Sequence, residues 1–211
     1  MFRRRWKDRE GVTVLPCMTG KSHQTSYVIR TIGPGDAELV SSHYGRLSFE
    51  SRLRRFLSPK PRLTSRELRF LTDVDHVRHE ALAAVDVVDG SIIGTVRYVA
   101  EPRRETVADL AVDVADEFQN HGIGTALVSE VIDRARENGF ATLTATTLWE
   151  NRPALALLRR HGFHARASCR GEIEFELSLE GAGATAAGSA GAVGGSAGAV
   201  GGSAGAVGGS R

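Results

Sequence analysis

Six residues, Gln119-Asn120-His121-Gly122-Ile123-Gly124, place two glycines between a strand-like run and a strongly periodic helix. Glycine in a helix interior is worse than alanine by about 0.8–1.0 kcal/mol, so two of them near a helix start imply that the backbone must come close to another group. Ahead of them, residues 107–114 alternate Leu110, Val112 and Val114 against Asp109, Ala111 and Asp113, which is the period of a strand. Beyond them, Leu127, Val128, Val131, Ile132 and Ala135 recur with helical spacing, and Gly139 supplies the stop. A helix N-terminus presents unpaired N–H groups and a partial positive charge, so the natural ligand of such a turn is a phosphate or pyrophosphate.

Several phosphate loops share this plan. A dinucleotide-binding turn wants a small residue three after the second glycine, where Leu127 stands, and an acid about 20 residues on, where the chain reads Thr144-Ala145-Thr146-Thr147. A P-loop wants Gly-Lys-Ser/Thr, but Gly124 is followed by Thr125-Ala126. The pattern Gln/Arg-x-x-Gly-x-Gly/Ala after a strand resembles the acyl-CoA pyrophosphate loop of the GNAT family of N-acetyltransferases. On these six residues alone, an ordinary glycine-rich turn is the alternative. Downstream, Asn151 is placed to cap a short helix that Gly162 ends. The stretch from Glu150 to Phe163, Glu-Asn-Arg-Pro-Ala-Leu-Ala-Leu-Leu-Arg-Arg-His-Gly-Phe, is similar to the second GNAT signature, Asn-x-x-Ala-x-x-Leu-x-x-x-x-Gly-Phe. Upstream, Ile29-Arg30-Thr31-Ile32-Gly33-Pro34-Gly35-Asp36 and the run Leu47 to Leu57, with Ser48, Glu50, Ser51, Arg55 and Phe56, resemble the opening of the GNAT domains of bacterial protein lysine acetyltransferases. Thr31 and Leu57 depart from that pattern. The resemblances span about residues 27–180.

These resemblances imply an acetyl-CoA-dependent transfer to an amine. Loop residues Gln119, Asn120, His121, Gly122, Ile123 and Gly124, with Thr125, would hold the pyrophosphate. Backbone N–H groups at Val112, Asp113 and Val114 would bind the pantetheine arm and polarise the thioester carbonyl, and Asn151 would add a contact besides its cap. A lysine ε-amine with a pKa of about 10.4 is neutral in only about one molecule in a few thousand at pH 7, and a positioned base contributes about 10²–10⁴-fold. In the protein-acetylating enzymes a Glu on this strand is that base, and Asp109 stands at the matching position. It is one methylene shorter, which favours a relaying water, and Glu105 is the substitute. Asp113, on the same strand face, is expected to hydrogen-bond at the loop edge. Many GNAT enzymes carry a Tyr, acid to the departing thiolate, where this chain has Leu158. A thiol with a pKa near 8.5 leaves tolerably as thiolate without it.

The rest of the chain bounds this reading. At 211 residues it suits one domain with tails. The formal charge of +2 conceals an asymmetry: residues 1–70 carry 15 Lys/Arg against 6 Asp/Glu, and the remainder 12 against 19. The basic part suits an acidic protein, the CoA phosphates or solvated helix faces. Nucleic acid is not an expected partner, because Arg52, Arg54, Arg55, Arg62, Arg66 and Arg69 lack interleaved aromatic platforms. Residues 1–26 show no sustained periodicity and read as a flexible basic extension. No apolar run follows Arg3-Arg4-Arg5, so a cytoplasmic location off the membrane is expected. Residues 181–211 reduce largely to Gly, Ala, Ser and Val, with Ser-Ala-Gly-Ala-Val-Gly-Gly starting at Ser189, Ser196 and Ser203, and read as a flexible tail. Cys17 and Cys169 fit no metal or redox spacing. The cluster Asp73, Asp75, His76, His79 and Glu80 lacks a recognised ligand pattern, so no metal is expected.

Periodicity predicts strands at 27–31, 81–88, 91–100, 107–114, 164–167 and 173–179, a further strand after the glycine-loop helix, and helices at 37–45, 50–56 and 65–71 besides the two already named. A turn at Asp89-Gly90 marks a hairpin. The expected fold is α/β of the α+β kind: a GNAT-like mixed, mostly antiparallel sheet flanked by helices over residues 27–180. The expected function is acetyl transfer from acetyl-CoA to a protein lysine. A small-molecule amine or antibiotic N-acetyltransferase, and a catalytically silent acyl-CoA-binding module, are the alternatives.

Overall fold

The chain folds back on itself at residues 86–91, where Gly90 adopts φ +73° and the Asp86 N–H donates to the Ser91 carbonyl at 2.9 Å. This is the hairpin expected at Asp89-Gly90, and it joins two central strands. The computed structural model describes residues 6–7, 13–16 and 26–180. The repeat tail and Cys17 lie outside the described residues. The strands are β1 Trp6–Lys7, β2 Thr13–Pro16, β3 Ser26–Thr31, β4 His79–Asp86, β5 Ile92–Glu101, β6 Arg104–Val114, β7 Thr142–Leu148, β8 His164–Cys169 and β9 Glu172–Ser178. They form one sheet in chain order, except that β9 lies between β7 and β8. Within residues 1–26, where no periodicity predicts an element, β1 and β2 extend the β3 edge through antiparallel backbone pairing. Every neighbouring pair is antiparallel but one: β6 and β7 run parallel, joined by a helical crossover.

The helices are α1 Ala37–Arg46, α2 Phe49–Phe56, α3 Ser65–Thr72, α4 Ile123–Glu137 and α5 Arg152–Arg160. Local signals explain their bounds. Ser48 caps α2 by accepting the Ser51 N–H at 3.1 Å. Thr64 and Glu67 form a reciprocal capping box on α3. Gly139, after α4, takes φ +80°. None of the described helices is long and apolar enough to cross a membrane.

Strand alternation divides the sheet into two faces. On one face α4 lays Leu127, Val131 and Ala135, all fully buried, against Leu82, Val96, Tyr98 and Leu110. On the other, Val40 of α1 and Leu71 of α3 cover Ala81, Ala83 and Val85. On β6, Leu110 belongs to the α4 face, with Val112 and Val114 packed beside it. Asp109, Ala111 and Asp113 therefore face α1 and α2.

The first turn of α4 sits hard against β5. A Cβ on Gly94 would lie 3.1 Å from the Asp113 carbonyl oxygen, 3.1 Å from Leu127 Cδ1 and 3.3 Å from Ile123 Cγ2. One of these neighbours is backbone, so the strain has no cheap outlet. Gly94→Ala is expected to destabilise the protein by about 1–3 kcal/mol, as overpacking does, lowering the melting temperature by about 2–4 °C for each kcal/mol. Differential scanning calorimetry checks this, and an unchanged melting temperature would show that α4 is free to shift.

Candidate functional site

The parallel pairing of β6 and β7 covers only Val107 with Thr142, Ala108 with Leu143 and Asp109 with Thr144. Beyond that point β6 continues to Val114 and β7 to Leu148, but they no longer pair with one another. The backbone of β6 past Asp109 is thus bonded on its β5 side and has no strand partner on the other. A cleft of about 480 Å³ opens there, lined by Val112, Asp113 and Val114 on one wall and by Asn151, Pro153, Ala154 and Leu157 of the α5 region on another.

The glycine loop closes the end of this cleft. Gln119, Asn120, Gly122, Ile123, Gly124 and Thr125 all line it, whereas His121 does not. Asn120 (φ +62°) and Gly122 (φ +81°) both take left-handed backbone. A Cβ on Gly122 would meet nothing within 4 Å, so this glycine answers to conformation and not to crowding. A Cβ on Gly124 would make only ordinary contacts, 3.4 Å to Leu157 Cδ2 and 3.7 Å to Val114 Cγ2. No described part of the protein crowds either glycine: the space at Gly122 is open, and Gly124 has neighbours only at ordinary contact distance. The first backbone bond of α4 runs from Ala126 N–H to the Gly122 carbonyl at 3.0 Å, and Gly122 has no capping side chain. That leaves the N–H groups of Ile123, Gly124 and Thr125 directed at the cleft end.

Neither candidate base lines the cleft. Asp109 sits at the point where the strands part, with Thr144 Oγ1 donating to its Oδ1 at 3.4 Å. Its residue is open to solvent on one side. The protein mass around the carboxyl nevertheless pushes its pKa up to about 6, against the opposing Thr144 hydrogen bond and Arg55 charge. Glu105 is exposed near the start of β6, four residues or about 13 Å along the strand from Asp109. Asn151 lines the cleft and caps α5, its Oδ1 accepting the Ala154 N–H at 3.3 Å. Leu158 is buried in the core behind α5 and offers nothing to the cleft.

Asp113 departs from the expected loop-edge role. Its side chain is 10% exposed and stands inside an ion cluster: His43 Nε2 lies 2.5 Å from Oδ1, while Arg55 Nε at 3.0 Å and Thr95 Oγ1 at 2.8 Å donate to Oδ2. The other ring nitrogen of His43 faces the Ile92 carbonyl at 3.0 Å, so both nitrogens face acceptors. Burial alone would raise the Asp113 pKa. The His43 hydrogen bond and charge, the Arg55 charge and the Thr95 hydroxyl outweigh it and hold the carboxyl well below the usual range.

A second carboxylate pins α2 to the loop. Asp116 accepts from Ser48 N–H and Oγ, each at 2.9 Å, and from Ser51 Oγ at 2.8 Å. Arg46 adds Nη2 to Glu117 Oε1 at 2.6 Å, and Gln119 Nε2 donates to the Val114 carbonyl at 3.1 Å. In this way α2 contacts both parted strands, and Ser51, Arg54 and Arg55 reach the cleft. Sequence reasoning missed these three, together with His43 and Thr95. The signals were the likeness of the run Leu47 to Leu57, which contains Ser51 and Arg55 but assigns them no role, and the arginine run of α2, which also fits a solvated helix face. The acidic and histidine cluster at 73–80 is structural: Asp75 Oδ1 accepts the N–H groups of Val77, Arg78 and His79, and His76 pairs with Glu80 at 2.8 Å. Among the described residues no group of three or more His, Cys, Asp or Glu is arranged to hold a metal ion.

This arrangement recurs in known proteins. Residues 48–163, more than half of the chain, match the Acetyltransferase (GNAT) family. The chain is 29% identical over 136 residues to Acetyltransferase Pat of Mycolicibacterium smegmatis, covering 64% of this chain and 40% of that one. It thus spans well under half the length of that relative. It is 27% identical over 138 residues to the L-amino acid N-acetyltransferase AaaT of Escherichia coli, covering 60% and 83% of the two chains. Among solved structures, the GNAT domain of S. lividans PAT superposes with a TM-score of 0.68 at 29% identity, over 74% of this chain and 92% of that one. The family match spans more than half of the chain and the fold superposes on a GNAT domain, so the chain belongs to the Acetyltransferase (GNAT) family.

Proposed function

We propose that the protein transfers the acetyl group of acetyl-CoA to an amine, with a protein lysine as the acceptor. The observation that carries this reading is the cleft between β6 and β7, which has uncommitted helix N–H groups at one end and a carboxylate of raised pKa at the point where the strands part. The residues present fit acetyl-CoA. The open space at Gly122 and the N-terminus of α4 suit a pyrophosphate, and the unpaired edge of β6 from Val112 to Val114 suits an amide-bearing arm. Acetyl-CoA supplies an acyl group activated as a thioester.

The chain's own residues would do the rest. Asp109 accepts the proton that the amine sheds, directly or through one water, as the N–C bond forms and the C–S bond breaks. Thr144 orients its carboxylate. Backbone N–H groups of β6 stabilise the charge developing on the carbonyl oxygen. With Leu158 in the core, no side chain at that position protonates the sulfur. It departs as a thiolate, tolerable for a thiol of pKa about 8.5.

Protein lysine as acceptor is supported by the likeness of residues 29–57 to the protein-acetylating GNAT domains. A small amine is the second reading, supported by the relative named as an L-amino acid N-acetyltransferase. Release of CoA, followed with folded proteins and with amino acids as acceptors, separates the two. No acetyl-CoA binding by calorimetry would end both.

Two outcomes test the assignments. Asp109→Asn is expected to lower kcat by about 10²–10⁴-fold with acetyl-CoA affinity retained; loss of turnover in Glu105→Gln instead would move the role of base to Glu105. Because burial raises the Asp109 pKa to about 6, the carboxyl is protonated below that pH and cannot accept a proton. Protonation of the acceptor amine alone already costs kcat/KM about tenfold per pH unit below the amine pKa of about 10.4, so in wild type the slope should steepen to about a hundredfold per unit below pH 6, and this added limb should vanish in Asp109→Asn.

Gly124→Ala separates fold from ligand. The protein itself tolerates the methyl, since its nearest contacts are of ordinary length, and alanine is the better helix former. The melting temperature should hold or rise while acetyl-CoA binding weakens by about tenfold or more. Unweakened binding would remove the pyrophosphate from this turn.

A further inference from the structure

Arg55 is a guanidinium with one of its five N–H donors committed. Its Nε donates to Asp113 at 3.0 Å, and its plane lies 4.9 Å from the centre of the Phe56 ring. Nη1 and Nη2 make no hydrogen bond among the described residues, although the side chain is only 11% exposed and lines the cleft. Neither nitrogen is sealed from solvent, so both are open to a ligand in the cleft. The surroundings hold an imbalance of charge. Arg97, on β5 opposite Ala111, is 4% exposed and among the described residues has no carboxylate within ion-pair distance, its Nη1 donating to the Leu71 carbonyl at 3.1 Å. Burial and the Arg55 charge together lower the Arg97 pKa to about 9. Arg54, also at the cleft, is held by Glu50 at 2.5 Å. Asp113 alone answers His43 and Arg55.

We propose that the Nη1–Nη2 edge of Arg55 receives a carboxylate carried by the acceptor near its reactive amine, so that Arg55 is the acceptor-recognition residue. This rests on the acetyl-transfer reading above. The guanidinium fork suits a planar carboxylate bidentately, and Asp113 fixes its direction by holding Nε. Arg55 shares the cleft with the glycine loop, but it enters from the α1–α2 side of β6 through its bond to Asp113, on the strand face that also carries Asp109. Its charge is felt through space at both Asp109 and Arg97. The carboxylate could belong to an acidic residue next to an acceptor lysine or to a free amino acid, and the two sources are separable.

The test uses the full chain with two matched pairs of acceptors: a peptide with Glu beside lysine against the same peptide with Gln, and a free amino acid against its amide. For each, kcat/KM for transfer and calorimetric affinity in the presence of CoA are measured. In at least one pair the carboxylate member is expected to be favoured by about 10–100-fold, the weight of charge-assisted hydrogen bonds; the pair that discriminates identifies the source. Arg55→Gln should abolish the preference and Arg55→Lys keep part of it, with acetyl-CoA affinity unmoved in both. Equal handling of both members of both pairs by wild type, which needs no variant to fold, overturns the proposal. So does an Arg55→Gln protein that still discriminates but binds acetyl-CoA more weakly, since the group then serves the donor. Carboxylate-selective binding without transfer would uphold the role of Arg55 and sink the acetyl-transfer reading instead.

Discussion

The site exists because a parallel pairing stops early. Strands β6 and β7 share three paired positions and then separate, which leaves polar backbone on β6 facing a gap in the middle of a sheet. Unpaired buried backbone is unfavourable, so the separation persists only because other elements hold the two strands apart. On one face the first turn of α4 is packed hard on Gly94. On the other, α2 contacts both strands. The region of α5 lines the opening with Asn151, Pro153 and Leu157. The cleft is thus the place where three helices enforce an unfilled position in a sheet, and an extended, amide-rich ligand is what such a position accommodates.

The second face is organised by two carboxylates that act on the same helix. Asp113 and Asp116 reach α2 through Arg55 and through Ser48 and Ser51, and Asp113 also holds α1 through His43. One removes the positive charge of an arginine that would otherwise be stranded in the interior, and the other satisfies the N-terminal hydrogen-bonding groups of a short helix. Because an eight-residue helix is marginal alone, these contacts rather than helix propensity give α2 its place over the cleft.

What could be read from the sequence follows from the range of each interaction. The hairpin at Gly90, the stop at Gly139, the cap at Asn151 and the strand–turn–helix around Gly122 depend on residues within a few positions, and their signals survive in the chain. The family resemblance was legible for the same reason, since its motifs are local turns. The parting of β6 from β7 was not, because nothing in residues 107–114 states how far a strand 35 positions later remains in register. The environment of Asp113 was hidden too. Its partners lie 70, 58 and 18 residues away, and an arginine in a basic run looks the same whether it is solvated or buried against one acid. The two glycines, read as one signal, proved to be two: Gly122 answers to a left-handed φ, whereas Gly124 is helical and a Cβ there would make only ordinary contacts with Leu157 and Val114.

Asp109 and Asp113 show how position converts identical chemistry into different roles. They share one strand and one face, four residues apart, yet their carboxyls are pushed in opposite directions. Asp113 is surrounded by donors and cations, so it remains charged and serves as an anchor. A proton acceptor of such low basicity would be useless to an amine. Asp109 has one weak hydrogen bond from Thr144 and feels the more distant Arg55 only through space. Partial desolvation therefore prevails, and its pKa lies near the range where a carboxylate can take and release a proton at neutral pH. The arginine that Asp113 holds is also the charge that keeps Asp109 from rising further. Anchor and proposed base are consequently coupled through Arg55, and the cluster that fixes α2 also contributes to the basicity at the point where the strands part.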